Sequence, residues 1–363
     1  MDFSTTEAAQ DLGDLVDTIV DAVCTPERQR ELDALDQRFD RDLWRKLIDA
    51  DILSTAAPES LGGSGFGVLE QTAVLVALGR RLAAVPYLES VVLGAGALAR
   101  FGSGELAQDW GVPAVSGARI LTVALDGEMG DGPVQAVPAG HGYRITGTRT
   151  QVGYGPVADG FLVPAETDSG TAVFLVAADE ASVTSMQTTG LGSVGRLRLD
   201  AVEVDRTRML AGDDVADWIT RLRTLGHSAY QLGVLDRGLQ LTAEYARTRE
   251  QFDRPIGSFQ AVAQRLADGY IDVKGLRLTL TQAAWRLSTD LPADTEVATA
   301  AFWAAEAGHR LAHTIVHVHG GVGIDIDHPV HRYFLAAKQT EFAVGGATGQ
   351  LRRIGRELAD TPA

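Results

Sequence analysis

Apolar residues recur three and four positions apart from about residue 5 to residue 118, the period of a helix buried along one face. Leu12, Leu15, Ile19 and Val23 form the first such stripe. "PESLGGSGFG" (Pro58–Gly67) interrupts the pattern and "VLEQTAVLVALGRRLA" resumes it. Near Ile120 the period changes. "RILTVALDG", "YRITGTRTQV", "DGFLVPA", "AVFLVAA" and "RLRLDAVEVD" are short apolar or alternating runs set off by Gly, Asp and Pro. They predict strands of a compact sheet or barrel that ends near Arg208. From Asp214 the helical period returns. Leu222, Leu225, Leu232, Leu235 and Leu239 make one seam, and Phe259, Val262, Leu266, Tyr270 and Val273 a second. The Ala-rich run Val297–Val318 is a third, and "HRYFLAAKQTEFA" begins a fourth. Four long amphipathic helices bury their stripes against one another, which predicts a bundle. The expected architecture is mainly α with a central β domain: helical residues 1–118, β residues 119–208, and a helical bundle over 209–363.

Composition narrows the function classes. The chain of 363 residues is 45% hydrophobic and 22% charged, as expected of a soluble globular protein. No segment approaches twenty apolar residues, so no membrane span is expected. The N-terminal run is acidic and amphipathic, unlike a secretory leader. Cys24 is the one cysteine, which excludes an internal disulfide and a cysteine-built metal site. A cytoplasmic setting fits. The formal charge of −16 argues against nucleic acid and anionic lipid, which need a basic face. It leaves room for a phosphate-bearing small molecule in a local arginine pocket.

Three motifs carry candidate chemistry. "GLGSVG" (Gly190–Gly195) matches the dinucleotide fingerprint, yet it precedes a strand-like run and opens no helix, so it reads as a loop between strands. Glu306, His309, His313 and His317 share one helical face, half of a di-iron pattern. The chain has no second Glu-x-x-His, and the row reads as a polar bundle face. "ARTREQFDRPIGSFQ" (Ala246–Gln260) concentrates three arginines at a helix end, where Pro255 and Gly257 stop the helix. Guanidinium forks suit phosphate, and the same arginines suit a helix C-terminus with no ligand at all. The residues alone leave both open.

"YARTREQFDRPIGSFQAVAQRLAD" followed by "HVHGGVGIDIDHPVHRYFLAAK" resembles the acyl-CoA dehydrogenase family. "PESLGGSGFG" and "GYRITGTRTQVGYGPVADGFLV" resemble two further family signatures in the same order. The resemblance covers nearly the whole chain and implies a helix–β–helix fold. It also implies FAD and α,β-desaturation of an acyl-CoA thioester: a carboxylate takes the α-proton and the flavin takes the β-hydrogen as hydride. Family members share each FAD between subunits. For the adenine and pyrophosphate end, the resemblance implies Arg249, Gln251, Phe252, Gln260, His317, Gly320 and Gly321.

The flavin-ring half departs from the family. Gln151-Val152-Gly153-Tyr154 stands where members carry Trp-Ile-Ser/Thr-Asn, and "LDGEMGDGP" stands where they carry Thr-Glu and Pro-Gly-Ala-Gly-Ser-Asp. The family's base position falls on Val344 and its alternative position on Arg223, and neither side chain can take a proton at neutral pH. The implied reading is the base-lacking subunit of a heterotetramer, similar to actinobacterial α₂β₂ dehydrogenases of steroid side-chain CoA esters. A paralogous partner would supply the flavin pocket, the catalytic Glu and most of the acyl site, with half as many FADs as chains. Electron-transfer flavoprotein is the implied acceptor. Two alternatives are a self-sufficient enzyme with Glu341 as displaced base and a flavin-free scaffold.

Overall fold

The computed structural model describes residues 3–127 and 131–360, so Glu128–Gly130 of "LDGEMGDGP" lie outside the described residues. Helices come first. α1 (Glu7–Val23) starts where the Thr6 hydroxyl accepts the Ala9 N–H at 3.1 Å, which satisfies one of the helix's free donors. Its buried stripe is Ala9, Leu12, Val16 and Val20, and Leu15 is 44% exposed. Two overlapping apolar stripes run along this helix, and packing selects the one that the sequence pattern did not. α2 (Pro26–Asp33) and α3 (Arg41–Asp49) are capped by Thr25 and by the buried Asp40. α4 (Val68–Arg80) follows, and then a nine-residue π-helix, Tyr87–Ala95.

Seven strands form the central sheet: β1 (Leu121–Val123), β2 (Gln135–Ala139), β3 (Gly142–Gly153), β4 (Gly160–Thr167), β5 (Gly170–Ala177), β6 (Ser182–Met186) and β7 (Val194–Asp205). Their order is β1-β4-β2-β3-β7-β6, with β5 antiparallel to β4. The β3–β7 ladder loses register between Arg149 and Val152, and Gln151 sits at φ 54°. Such an irregularity bends a strand and re-aims its side chains, here just before Gly153 and Tyr154.

The last layer is α5 (Val215–Thr248), α6 (Gln260–Ser288), α7 (Asp294–His319), α8 (Val330–Ala343) and α9 (Gly346–Asp360). The α5 seam Leu222, Leu225, Leu232, Leu235 and Leu239 is buried as expected. On α6 the stripe rotates. Val273, Leu276 and Leu280 are buried, whereas Tyr270 is 57% exposed. α5 crosses α4 so closely that a Cβ on Gly233 would lie 2.0 Å from the Val76 carbonyl oxygen, and one on Gly79 would lie 2.1 Å from that of Tyr230. The buried Gln231 donates to the carbonyls of Ala304 (3.2 Å) and Ala337 (3.0 Å), tying α5 to α7 and α8. Among the described residues no helix is long and apolar enough to cross a membrane.

Candidate functional site

Where the first helices, the sheet and α5 meet, they enclose a cavity of about 180 Å³. Its walls include Gln151, Gly153 and Tyr154 from β3 and its following turn, Glu89 and Tyr87 from the π-helix, Arg223 and His227 from α5, and Asp126 after β1. π-Helical stretches recur at functional sites because their wider turn displaces side chains from the α-helical track. Glu89 faces Gly153 so directly that a Cβ there would lie 3.0 Å from Glu89 Oε1. The Gly153 carbonyl accepts from Thr122 Oγ1 at 2.6 Å, and the Tyr154 N–H donates to Ser193 O at 2.7 Å.

Arg223 and His227 lie one helical turn apart and so share the cavity face of α5. Arg223 makes a two-pronged ion pair with Asp126, one prong at 3.2 Å. Loss of water raises the Glu89 carboxyl to about 7, its own backbone hydrogen bond and Arg223 opposing. It lowers His227 to about 3, with Arg223 adding to the effect. The sequence reading passed over Glu89, His227 and Asp126. A single acid in the apolar run "VPYLESVVLGAG" was the available signal.

The two expected base positions and the displaced candidate diverge. Arg223 lies on the cavity wall, but paired. Val344 is 3% exposed, caps α8, and packs with Ala301 and Ala305 away from the cavity. Glu341 contacts Lys338 and, at 3.3 Å, the ring of His309 on α7. Its neighbours Thr340 and Ala343, rather than Glu341 itself, line the cavity.

A second surface lies at the far end of α5. The helix stops at Thr248, and a hairpin of β8 (Glu250–Gln251) and β9 (Arg254–Pro255) follows, a feature the sequence pattern did not reveal. Phe252 and Asp253 form its tip at φ 55° and 61°, and Phe252 is 85% exposed. A left-handed phenylalanine held in water is strained and unburied at once. Arg249 has a backbone bond to Tyr245 O (2.8 Å) and no ion pair among the described residues. Gln251 and Gln260 are exposed.

The end of α7 meets the last turn of α5, from which the hairpin leaves. His319 stacks on Tyr245 with ring centroids 4.3 Å apart, which brings together two motifs remote in sequence. His317, Gly320 and Gly321 are exposed. Gly320 adopts φ 62°, ψ −139°, a conformation essentially reserved for glycine, and a Cβ on either glycine would meet only open space. The surface therefore offers an unpaired guanidinium, amide side chains, an aromatic ring and bare backbone, and none of it is enclosed.

The other motifs settle elsewhere. His309 is engaged by Glu341 and Lys338, and His313 packs edge-on against Phe334. No group of three metal-binding side chains converges among the described residues. Gly190 and Gly192 lie in the loop between β6 and β7, where the Leu191 N–H donates to Gln339 Oε1 at 2.8 Å. Cβ atoms there would come within 2.5 Å and 2.3 Å of that glutamine's amide, which packs against both glycines.

Comparison with known proteins matches two parts of the chain. Residues 6–118 match the model of the acyl-CoA dehydrogenase N-terminal domain, and residues 212–359 that of the C-terminal domain. The chain is 79% identical to acyl-CoA dehydrogenase FadE27 of Mycobacterium tuberculosis, covering 100% of both. It is 31% identical to FadE28 of the same organism, covering 93% of this chain and 98% of that one. Among solved structures, it superposes on a chain of the ChsE4-ChsE5 complex from Mycobacterium tuberculosis with a TM-score of 0.98 at 81% identity, covering 100% of both. A chain of the Tcur3481-Tcur3483 steroid ACAD superposes with a TM-score of 0.92 at 36% identity, covering 98% of this chain and 99% of that one.

Proposed function

This chain belongs to the acyl-CoA dehydrogenase family, and we propose that within it the chain is the base-lacking subunit of a heteromeric enzyme. It would hold the adenine and pyrophosphate end of an FAD whose ring lies in a paralogous partner. The partner would also supply the catalytic Glu and most of the acyl pocket. A complex named for two chains among the near relatives supports the partner, and a steroid enzyme among them supports a steroid side-chain CoA ester as substrate. Electron-transfer flavoprotein is the acceptor the family implies.

One contrast carries the reading. The phosphate-end surface is open and unsatisfied, whereas the ring-side cavity is lined by the chain's own charged side chains. Arg249 has no acidic partner among the described residues, and Gly320 and Gly321 leave bare backbone that a Cβ would cover, so the residues present fit a diphosphate. Arg249 would grip the diphosphate. Gln251, Gln260 and His317 would hydrogen-bond around it, and Phe252 would bury its ring against the adenosine. FAD, when bound, supplies the hydride acceptor. On the other side the Arg223–Asp126 pair and the Glu89 carboxyl take up the space beside Gln151–Tyr154.

Arg249→Ala tests the assignment directly. In the complex co-purified with its paralogue, FAD affinity should fall about ten- to a hundred-fold, the range of a lost charged hydrogen bond. Unchanged flavin content would refute it and leave a flavin-free scaffold.

One observation favours a self-sufficient enzyme. Glu89 lies in the cavity with a carboxyl raised to about 7, suited to a general base. Glu89→Gln separates the two readings. Turnover by the complex should stay within about two-fold if the partner holds the base, and should fall by orders of magnitude if Glu89 does.

A further inference from the structure

The surface assigned to FAD is built from two segments, the ends of α5 and α7, that a ring stack joins. Arg249 leaves the last turn of α5, its N–H bonded to Tyr245 O at 2.8 Å. Gly320 and Gly321 leave the last turn of α7, immediately after His319. His319 is 5% exposed, its ring lies on that of Tyr245 at 4.3 Å and 24°, and its Nδ1 is 2.8 Å from Ile315 O. We propose that His319 and Tyr245 are positioning residues that lock the Gly320–Gly321 turn against the Arg249 hairpin, setting the distance between the guanidinium and the bare backbone that grip one diphosphate. The inference rests on the FAD reading above and deepens it.

The chemistry of the contact supports a rigid joint. A carbonyl only accepts, so Nδ1 carries the proton and the ring is held in one tautomer and one orientation. Burial keeps the imidazole neutral by moving its pKa below the ordinary value, with the Ile315 bond opposing and His328 adding. A neutral ring stacks face to face on tyrosine without stranding a charge. Beneath it Gly323 packs with no room for a side chain, since a Cβ there would lie 3.1 Å from His319 Cβ and 2.9 Å from Val316 O. The turn therefore packs closely on the end of α7 at Gly323 and is joined to α5 through Tyr245. A phosphate grip needs its donors placed to within about half an ångström, which neither helix end provides alone.

The test uses the complex with its paralogue, stripped of FAD and titrated with it by flavin fluorescence. His319→Ala and Tyr245→Ala should each weaken FAD binding up to about ten-fold, and the double variant no further, because they act as one unit. His319→Phe keeps a ring on Tyr245 and should restore most of the affinity. In the FAD-free complex, amide exchange at Gly320–Gly323 should quicken in His319→Ala and return towards the parent rate in His319→Phe. Parent-like affinity in His319→Ala alongside loss in Arg249→Ala would overturn the positioning role. Equal losses in His319→Ala and His319→Phe would overturn the stack as its basis. If Arg249→Ala also binds normally, the FAD assignment itself fails. Should His319→Ala fail to assemble, Tyr245→Leu removes the stack from the half-buried side and is judged by the same affinities.

Discussion

Glu89 and His227 face one cavity, and both are charged less readily there than in water. Desolvation raises Glu89 from 4.5 to about 7, so the folded chain holds that proton more tightly than the unfolded one. The associated stability is fully present below pH 4.5 and is lost as pH rises through about 7. His227 acts oppositely. Its pKa falls from 6.5 to about 3, so its stability is present above pH 6.5 and is lost as pH falls towards 3. Glu89→Gln should therefore raise Tm by several degrees near pH 8 and change it little near pH 4.5, as read from thermal scans across pH. An equal effect at both pH values would mean that Glu89 is not desolvated.

At the scale of elements, close backbone approaches decide the packing. α4 and α5 cross where Gly79 and Gly233 each face the other helix's carbonyl, at 2.1 Å and 2.0 Å from a notional Cβ. Gly233→Ala must push the helices apart or bend one. Chemical denaturation should find it destabilised by about 3 kcal/mol or more, despite alanine's better helix propensity. Nothing in the apolar periodicity announces this contact. The periodicity did announce the long helices and strands β1, β3, β4, β5 and β7. It missed β2, whose "QAVPA" contains a proline, and β6, whose "SVTSM" is mostly polar. It also missed the β8–β9 hairpin, because Phe252-Asp253 is not a turn pair that propensity favours. On α1 and α6 it chose a neighbouring stripe, since Leu15 and Tyr270 are apolar yet face outwards.

Across the whole molecule, several large apolar side chains lie uncovered. Phe252, Ile324 and Ile326 are 85%, 70% and 74% exposed, and Phe342 at the far end of α8 is 72% exposed, as surfaces awaiting another chain would be. The heteromeric reading expects the chain expressed alone to be colourless and to self-associate. Co-expressed with its paralogue it should form a defined yellow oligomer with about one FAD for every two chains, from absorbance and native mass. One FAD per chain would refute the reading.

Family and element order were legible in the sequence, because glycine turns, arginine clusters and helical periods are local patterns; the residues proposed for the phosphate end rest on the same kind of signal. Arg223 and Val344 at the expected base positions were legible too, as side chains that cannot take a proton. Only the tertiary structure decided what surrounds them. It paired Arg223 with Asp126 across 97 residues, set Glu89 against Gly153 and laid His319 on Tyr245. Those contacts join segments remote in the chain, and their chemistry depends on burial and distance. Neither quantity has a local signature, since each is set by how sheet and helices close around the same space.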